Sequence, residues 1–148
     1  MSGEEAGTTP VSEAIFRLAR LHKGLAAALL RESGLRPGQE LVLMSLWAHG
    51  PQRLVDLVTA VDSDAPTMTR SIGRLERAGL VSRRASPTDR RAVIVEATEA
   101  SLALRPQVEA AWAELERLTV GAMPAERRDA VLEALGALEA NLKALPPR

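Results

Sequence analysis

Residues 54–91 read LVDLVTAVDSDAPTMTRSIGRLERAGLVSRRASPTDRR, and this stretch decides the fold. Its centre predicts a helix over residues 65–78, because Met68, Ile72 and Leu75 recur at the spacing of one helical face. Short hydroxyl side chains and arginines fall on the opposite face of the same helix. The stretch therefore predicts an amphipathic helix with one apolar side and one strongly cationic side.

The ends of this helix have recognisable signals. Asp64 is a favourable N-cap, Pro66 fits the first turn because its missing N–H costs little there, and Gly79 fits the position after the last turn. A shorter helix is predicted before it, over residues 54–60, with an apolar side. Two short helices joined by a tight turn are typical of a helix-turn-helix.

A β-hairpin is predicted directly after the helix-turn-helix. Residues 80–84 read as a strand, residues 86–89 as turn material, and the β-branched residues 92–95 as the returning strand. A helix-turn-helix followed by an arginine-rich hairpin is a winged helix-turn-helix, a module that binds duplex DNA. The predicted fold class is mainly α with a small β-hairpin wing.

Charge is distributed unevenly along the chain. The whole chain has a net charge of zero, yet residues 65–91 contain seven arginines and two acidic residues. A basic patch on an otherwise acidic molecule is the expected electrostatic footprint of a DNA-binding face. The alternative for the patch alone is a solvated charged hairpin.

The candidate DNA contacts lie on the exposed side of the predicted helix and on the hairpin. They are Pro66, Thr67, Thr69, Arg70, Arg74, Arg83, Arg84, Arg90 and Arg91. Hydroxyls and arginines are the groups that hydrogen-bond base edges and phosphates. Arg70 is expected at base edges, and Arg74 at a phosphate or a base.

The same stretch resembles the multiple antibiotic resistance regulator (MarR) family. The resemblance is carried by Thr67-Met68-Thr69-Arg70, Arg74-Leu75-Glu76, Gly79-Leu80-Val81, Arg83-Arg84 and Asp89-Arg90-Arg91, with weaker matches at residues 34–39, 49–51 and 97–101. It covers roughly residue 11 to the C-terminus. The sequence departs from the family pattern at Glu40, Arg53, Asp62, Ser63 and Pro66.

The resemblance implies a dimer whose N- and C-terminal helices interlock, a near-palindromic double-stranded DNA operator, and a small-molecule effector. It also implies that Arg91 enters the minor groove with Asp89 supporting the wing, and that Asp64 braces Arg91. Residues of the first, second and fifth helices could line an effector pocket. Those residues are Leu21, His22, Leu25, Leu43, Trp47 and Trp112, which are equally explained as core, and His22 as a polar residue at the helix-one interface.

Helices are also predicted on both sides of the central stretch. They cover residues 11–30 with Ser12 as a possible cap, residues 37–48 with Pro37 at the start, a segment from Thr98 that Pro106 should kink or split, and residues 125–144. Their apolar stripes exceed what one winged helix can cover. We expect a helical dimerisation region over 11–36 and 98–148, a DNA-binding lobe over 37–97 and a disordered tail over 1–10. The alternative is that these helices fold back on their own domain.

Several function classes lack their required residues. The chain has no cysteine, which excludes disulfides, thiolate metal sites and a thiol-based sensor. No nucleophile, metal cluster or phosphate loop is recognisable, so neither an enzyme nor a cofactor is expected. No membrane span or signal peptide is recognisable, so a cytoplasmic location is expected. The predicted function is a dimeric sequence-specific transcription regulator, expected to be a repressor released by a ligand. The alternative is a winged-helix interaction or architectural module without sequence-specific readout.

Overall fold

The computed structural model describes residues 7–61 and 63–147. This part of the chain forms seven α-helices and three strands. In chain order they are α1 (Pro10–Leu30), α2 (Gln39–His49), β1 (Gln52–Arg53), α3 (Leu54–Ala60), α4 (Ala65–Arg77), β2 (Val81–Ala85), β3 (Val93–Ala97), α5 (Glu99–Leu102), α6 (Arg105–Val120) and α7 (Ala125–Lys143). A short 3-10 helix, Arg31–Ser33, follows α1. Most of the predicted tail and Asp62 lie outside the described residues, and Pro10 already belongs to α1.

Helix α4 has the ends that the sequence predicts. The Asp64 side chain caps its N-terminus by accepting from the Thr67 N–H at 2.8 Å. At the other end Gly79 adopts a left-handed φ of +78°, and the Gly79 and Leu80 N–H groups donate back to Glu76 and Leu75 carbonyls. This is a Schellman ending, which a residue without Cβ makes without strain.

The wing is part of a three-stranded antiparallel sheet with the order β1-β3-β2. Strand β2 pairs with β3 from Val81 opposite Ala97 to Ala85 opposite Val93, so both strands extend one or two residues beyond the predicted ends. The two-residue strand β1 pairs with Val95 and Ile94 of β3. The predicted two-stranded hairpin therefore lacked β1, because a strand of only two residues is too short to show an alternation of apolar and polar side chains.

Two predicted helix starts were wrong. Helix α2 begins at Gln39 instead of residue 37, because Gly38 at its N-cap has a left-handed φ of +96°. Ser12 does not cap α1; the helix begins at Pro10 after Thr9, whose hydroxyl donates to the Glu13 carboxylate at 3.2 Å.

Glu40 lies buried in the first turn of α2 at 3% exposure. Its carboxylate accepts from the Gly38 N–H at 2.7 Å, which satisfies one donor at the start of the helix. Burial raises the pKa of the Glu40 carboxyl, although the hydrogen bond from Gly38 opposes this rise. A charged residue at a position that is usually apolar in the resembled family is thus accommodated by capping.

Pro106 splits the long helix predicted after the wing. Helix α5 ends at Leu102 and α6 begins at Arg105, which places Pro106 in the first turn of α6, where no N–H is needed. The predicted cap at Thr98 is confirmed, since its hydroxyl accepts from the Ser101 N–H at 3.3 Å.

The described residues form two compact units, which divide between Leu115 and Glu116. The core of the first unit consists of Leu30, Leu35, Val42, Leu43, Leu46, Leu57, Met68, Ile72, Leu75, Val81, Val95, Val108 and Ala111. Helix α1 buries only Leu30 and exposes large apolar side chains, such as Phe16 at 75% and Leu21 at 66%. In the second unit α7 buries none of its residues.

Among the helices of the described residues, none is both long enough and apolar enough to cross a membrane.

Candidate nucleic-acid interface

Helix α4, which we call the reading helix, presents the face that the sequence predicts. Met68, Ile72 and Leu75 are buried in the core. The candidate contacts on this helix are all exposed, namely Pro66, Thr67, Thr69, Arg70 and Arg74. Packing of the apolar side therefore fixes the helix while its hydroxyls and guanidinium groups face solvent.

Thr67 takes part in the N-terminal cap of the reading helix, a role that the sequence did not predict. Its N–H donates to Asp64 Oδ1 at 2.8 Å, and its hydroxyl donates to Asp64 Oδ2 at 2.9 Å. The backbone and then the side-chain hydrogen bond from Thr67 hold the pKa of the Asp64 carboxyl below its ordinary value. Arg70 Nη2 donates to the same Thr67 hydroxyl at 3.4 Å. The chain Asp64–Thr67–Arg70 thus orients a guanidinium on the exposed face.

Arg83 is occupied by a contact inside the protein. Its Nη2 and Nε lie 2.7 Å and 3.1 Å from Glu76 Oε1 of the reading helix. The hydrogen bonds from Arg83 lower the pKa of Glu76, and those to Glu76 raise the pKa of Arg83. Arg84 forms a looser pair with Glu96, at 3.7 Å. In this structure Arg83 links strand β2 to the reading helix, a role that sequence reasoning missed.

The wing tip, residues 86–92, is organised by Ser86. This buried hydroxyl accepts from the Thr88 and Asp89 N–H groups at 3.3 Å each. Asp89 Oδ1 in turn accepts from the Arg91 N–H at 3.0 Å, and the Asp89 carbonyl accepts from the Ala92 N–H. The supporting role expected of Asp89 is therefore carried out through the backbone of the turn.

Arg90 and Arg91 lie on different sides of the wing. Arg91 lines a shallow groove with Asp89 and Arg53, next to the start of α3. Arg90 lines another groove with Arg83 and Arg84. Both arginines were predicted to contact DNA, with Arg91 alone expected in the minor groove, and the hairpin places them in two different grooves. Arg53, which pairs with Asp56 at 3.3 Å, is a cation beside Arg91 that sequence reasoning did not place in the site.

The predicted Asp64–Arg91 pair was wrong for this structure. No such ion pair occurs within residues 7–61 and 63–147, where the Asp64 carboxylate is engaged by Thr67 instead. Arg70 is the cation that acts electrostatically on Asp64. Arg70 lies three residues after Thr67 on the same helix and is therefore close to the Asp64 carboxylate, whereas Arg91 belongs to the wing.

Gly73 is a second feature that sequence reasoning missed. It lies within the reading helix on the side shared by Arg70 and Arg77, three and four residues away. A Cβ built at this position would meet only Arg77 Nη1, at 3.6 Å, so the protein itself leaves room for a side chain. The exposed face of the helix therefore has a gap without a side chain between the two arginines.

The six predicted effector-pocket residues differ widely in exposure. Leu43 is fully buried, Leu21 is 66% exposed, and His22, Leu25, Trp47 and Trp112 are half-buried. None of the six lines the four prominent clefts described for this part of the chain. A pocket built from all six stays a prediction.

The two tryptophans pack against the core through their rings. Trp47 Nε1 donates to Ser101 Oγ at 3.1 Å, and the Arg105 guanidinium lies 6.0 Å from the Trp47 ring centroid. The buried Trp112 Nε1 has no hydrogen-bond partner among the described residues.

No group of three or more His, Asp or Glu side chains within the described ranges is placed to hold a metal ion.

Two helices joined by a tight turn, a cationic reading helix and an arginine-bearing wing define a winged helix-turn-helix DNA-binding protein. The sequence model of the MarR family matches residues 35–93. The HTH-type transcriptional repressor NicR of Pseudomonas putida is 30% identical over 129 residues, which cover 84% of this chain and 82% of NicR. The chain belongs to the MarR family.

Solved structures agree with this assignment. BpsR of Bordetella bronchiseptica, described for the regulation of its DNA binding by 6-hydroxynicotinic acid, matches with a TM-score of 0.82 and 27% identity over 87% of this chain and 92% of BpsR. Reduced AbfR bound to DNA matches with a TM-score of 0.77 and 26% identity over 90% of each chain. MarR proteins are dimeric transcription regulators and not enzymes. The chain is accordingly a DNA-binding regulator.

Proposed function

We propose that two copies of this chain bind a near-palindromic operator and repress transcription until a small ligand releases them. The observation that carries this proposal is the reading helix, whose apolar side is locked in the core while Thr69, Arg70 and Arg74 remain exposed. Arg70 is held by Thr67, so its guanidinium is oriented before DNA arrives. A duplex-DNA partner also favours a cytoplasmic site of action.

The contacts divide into two kinds. Thr69 and Arg70 are proposed to read base edges in the major groove, with Pro66 and Thr67 at the start of the helix setting its approach. Arg74, Arg84, Arg90 and Arg91 are proposed to contact the backbone, with Arg91 reaching the minor groove. Arg83 is proposed to anchor the wing instead of contacting DNA, because its guanidinium is already paired with Glu76.

The dimerisation region is proposed to comprise residues 11–36 and 98–148. Support comes from apolar side chains that a single chain leaves exposed, including Val11, Phe16 and Leu18 on α1, and Leu132 and Leu142 on α7. Apolar stripes of this kind mark an interaction surface. A C2 dimer would present two reading helices about one DNA turn apart. We therefore propose that the two DNA-binding lobes, residues 37–97 of each copy, bind the two halves of a near-palindromic operator.

The ligand is proposed to be a small organic acid. NicR is a repressor, and the DNA binding of BpsR is regulated by 6-hydroxynicotinic acid, a ring carboxylic acid. A thiol switch is excluded for this chain because it has no cysteine.

Fluorescence anisotropy on a selected duplex and a base-scrambled duplex, at several salt concentrations, tests the proposal. Both complexes should weaken with salt because arginines release counterions from phosphates. Only a regulator that reads sequence should retain a preference for the selected duplex at every salt concentration. Equal affinities for the two duplexes would instead indicate an architectural winged-helix protein.

A further inference from the structure

The outermost row of side chains on the reading helix begins with a proline. Pro66, Arg70 and Gly73 follow one another at intervals of four and three residues, on the side opposite the buried residues of α4. Pro66 and Arg70 are both exposed. Because the first residues of a recognition helix are the ones that contact base edges, Pro66 is the leading group of this row.

The hydrogen-bond donors next to Pro66 are already used inside the protein. The Thr67 N–H donates to Asp64 Oδ1 at 2.8 Å, and the Thr67 hydroxyl donates to Asp64 Oδ2 at 2.9 Å. The same hydroxyl accepts from Arg70 Nη2 at 3.4 Å. Proline itself has no N–H and no polar atom in its side chain. Pro66 and Thr67 therefore offer a base edge an apolar ring and no uncommitted donor.

The base edges in the major groove differ in what they require of a protein. Guanine O6 and the purine N7 atoms require a donor, the amino groups of cytosine and adenine require an acceptor, and the 5-methyl group of thymine requires an apolar surface. The ring of Pro66 supplies only the last of these.

We propose that Pro66 selects thymine at one position of each half-site by covering the 5-methyl group of the base. The inference rests on the proposed function, because it specifies a base that the operator must contain. Removal of a methyl from water upon binding is favourable, and no other base carries a methyl at that place. Pro66 is thus a specificity-determining residue in addition to one that starts the helix.

The position of this thymine follows from the geometry of the helix. Pro66 and Arg70 are four residues apart, which corresponds to about 6 Å along the axis of an α-helix. Successive base pairs of DNA are about 3.4 Å apart. The thymine should therefore lie within about two base pairs of the position that Arg70 reads, and Arg70→Ala identifies that position by relaxing its base preference.

The test uses the full chain and an operator selected from random duplex DNA. Each thymine of a half-site is replaced in turn by deoxyuridine, which keeps every hydrogen-bonding group of thymine and lacks only the 5-methyl group. One replacement, within about two base pairs of the Arg70 position, should weaken wild-type binding by about fourfold, which is the typical effect of uncovering one such group. The other replacements should have little effect.

Pro66→Ser separates reading from a structural role. The position is exposed, so the variant should fold, and it should bind the thymine and deoxyuridine operators equally. A proline that only starts the helix would change both affinities by the same factor and leave their ratio at the wild-type value, a result that would overturn the inference. Arg91→Ala on the wing is the control. It should weaken binding to both operators and keep the fourfold ratio.

A second pair of duplexes moves the methyl group onto another base. Cytosine in place of the identified thymine should weaken wild-type binding, and 5-methylcytosine at the same place should recover about fourfold of the loss. Pro66→Ser should not distinguish cytosine from 5-methylcytosine. These duplexes test the methyl group itself, since the hydrogen-bonding groups of the two cytosines are identical.

Equal wild-type affinity for the thymine operator and all its deoxyuridine forms would overturn the inference. Selection of cytosine within two base pairs of the Arg70 position, with no thymine there, would also overturn it, because the Asp64 carboxylate would then be the group that reads this base. A selected operator without methyl dependence refutes reading by Pro66 alone. Failure to select any common sequence refutes the proposed function instead.

Discussion

Glu76 Oε1 of the reading helix accepts two hydrogen bonds from Arg83 of strand β2, at 2.7 Å from Nη2 and 3.1 Å from Nε. The two residues are seven positions apart and stand on the two elements that are proposed to contact DNA. The pair therefore fixes the wing relative to the reading helix, in addition to the sheet hydrogen bonds. Because both side chains are more than a third exposed, the contribution of the pair to stability is small and its main effect is positional.

Glu76→Gln should weaken operator binding modestly, by about fivefold or less, through looser positioning of the wing. The lowered pKa of Glu76 also sets a pH dependence. A carboxylate with a depressed pKa stabilises the fold above its ordinary value of 4.5 and loses that contribution as the pH falls through the lowered pKa. The difference in Tm between wild type and Glu76→Gln should be present at pH 7 and vanish in acid. Unchanged operator affinity of Glu76→Gln would contradict the positional role.

Arg70→Ala should reduce affinity for the selected operator by about 1–3 kcal/mol and relax base preference at one position of each half-site. The reason is that Thr67 holds this guanidinium on the exposed face, where it can hydrogen-bond a base edge. Anisotropy titrations against the selected and the scrambled duplex measure both effects. Equal losses on the two duplexes would make Arg70 a phosphate contact.

Gly73→Ala should change stability and DNA binding in opposite directions. Alanine in a helix interior is favoured over glycine by about 1 kcal/mol, and the new methyl would meet only Arg77 Nη1 at an ordinary 3.6 Å. The same methyl stands between Arg70 and Arg77 on the exposed face and should hold the helix away from the groove. Tm should rise and operator affinity should fall. Unchanged DNA affinity of Gly73→Ala would show that this face does not approach DNA closely.

Arg91→Ala should weaken operator binding and flatten the preference for A·T pairs flanking each half-site. A narrow A·T minor groove has the strongest negative potential, so an inserted arginine gains most there. Arg90→Ala is the matched control, since Arg90 lies in the groove on the other side of the wing. Titration against operators with A·T or G·C flanks separates the two arginines. A loss of flank preference in Arg90→Ala instead of Arg91→Ala would reverse their roles.

Local signals predicted most of the DNA-binding lobe. Asp64, Met68 and Gly79 lie within one or two turns of the elements that they specify, so spacing alone located the reading helix and its ends. What could not be predicted depends on contacts between distant residues. Arg83 reads as a DNA contact until Glu76 is found opposite it, and β1 exists only through pairing with Ile94 and Val95.

A cleft between the turn before α2, the C-terminal half of α4 and the α5–α6 link was hidden for the same reason. Leu35, Gln39, Arg74 and Leu104 are spread over 70 positions of the chain and share no spacing that a sequence could show. The predicted pocket residues were chosen by helix and residue type, and burial then separated Leu43 from Leu21. Helix faces can be read from a sequence, whereas cavities between helices require the packing itself.

Selection of bound sequences from random duplex DNA tests the central claim most directly. A dimer that reads DNA through two α4 helices should enrich an inverted repeat whose half-site centres lie about 34 Å apart, or a multiple of that distance. Arg70→Ala should enrich the same repeat with one position degenerate in each half. Enrichment of no common sequence by the wild-type protein would contradict sequence-specific regulation.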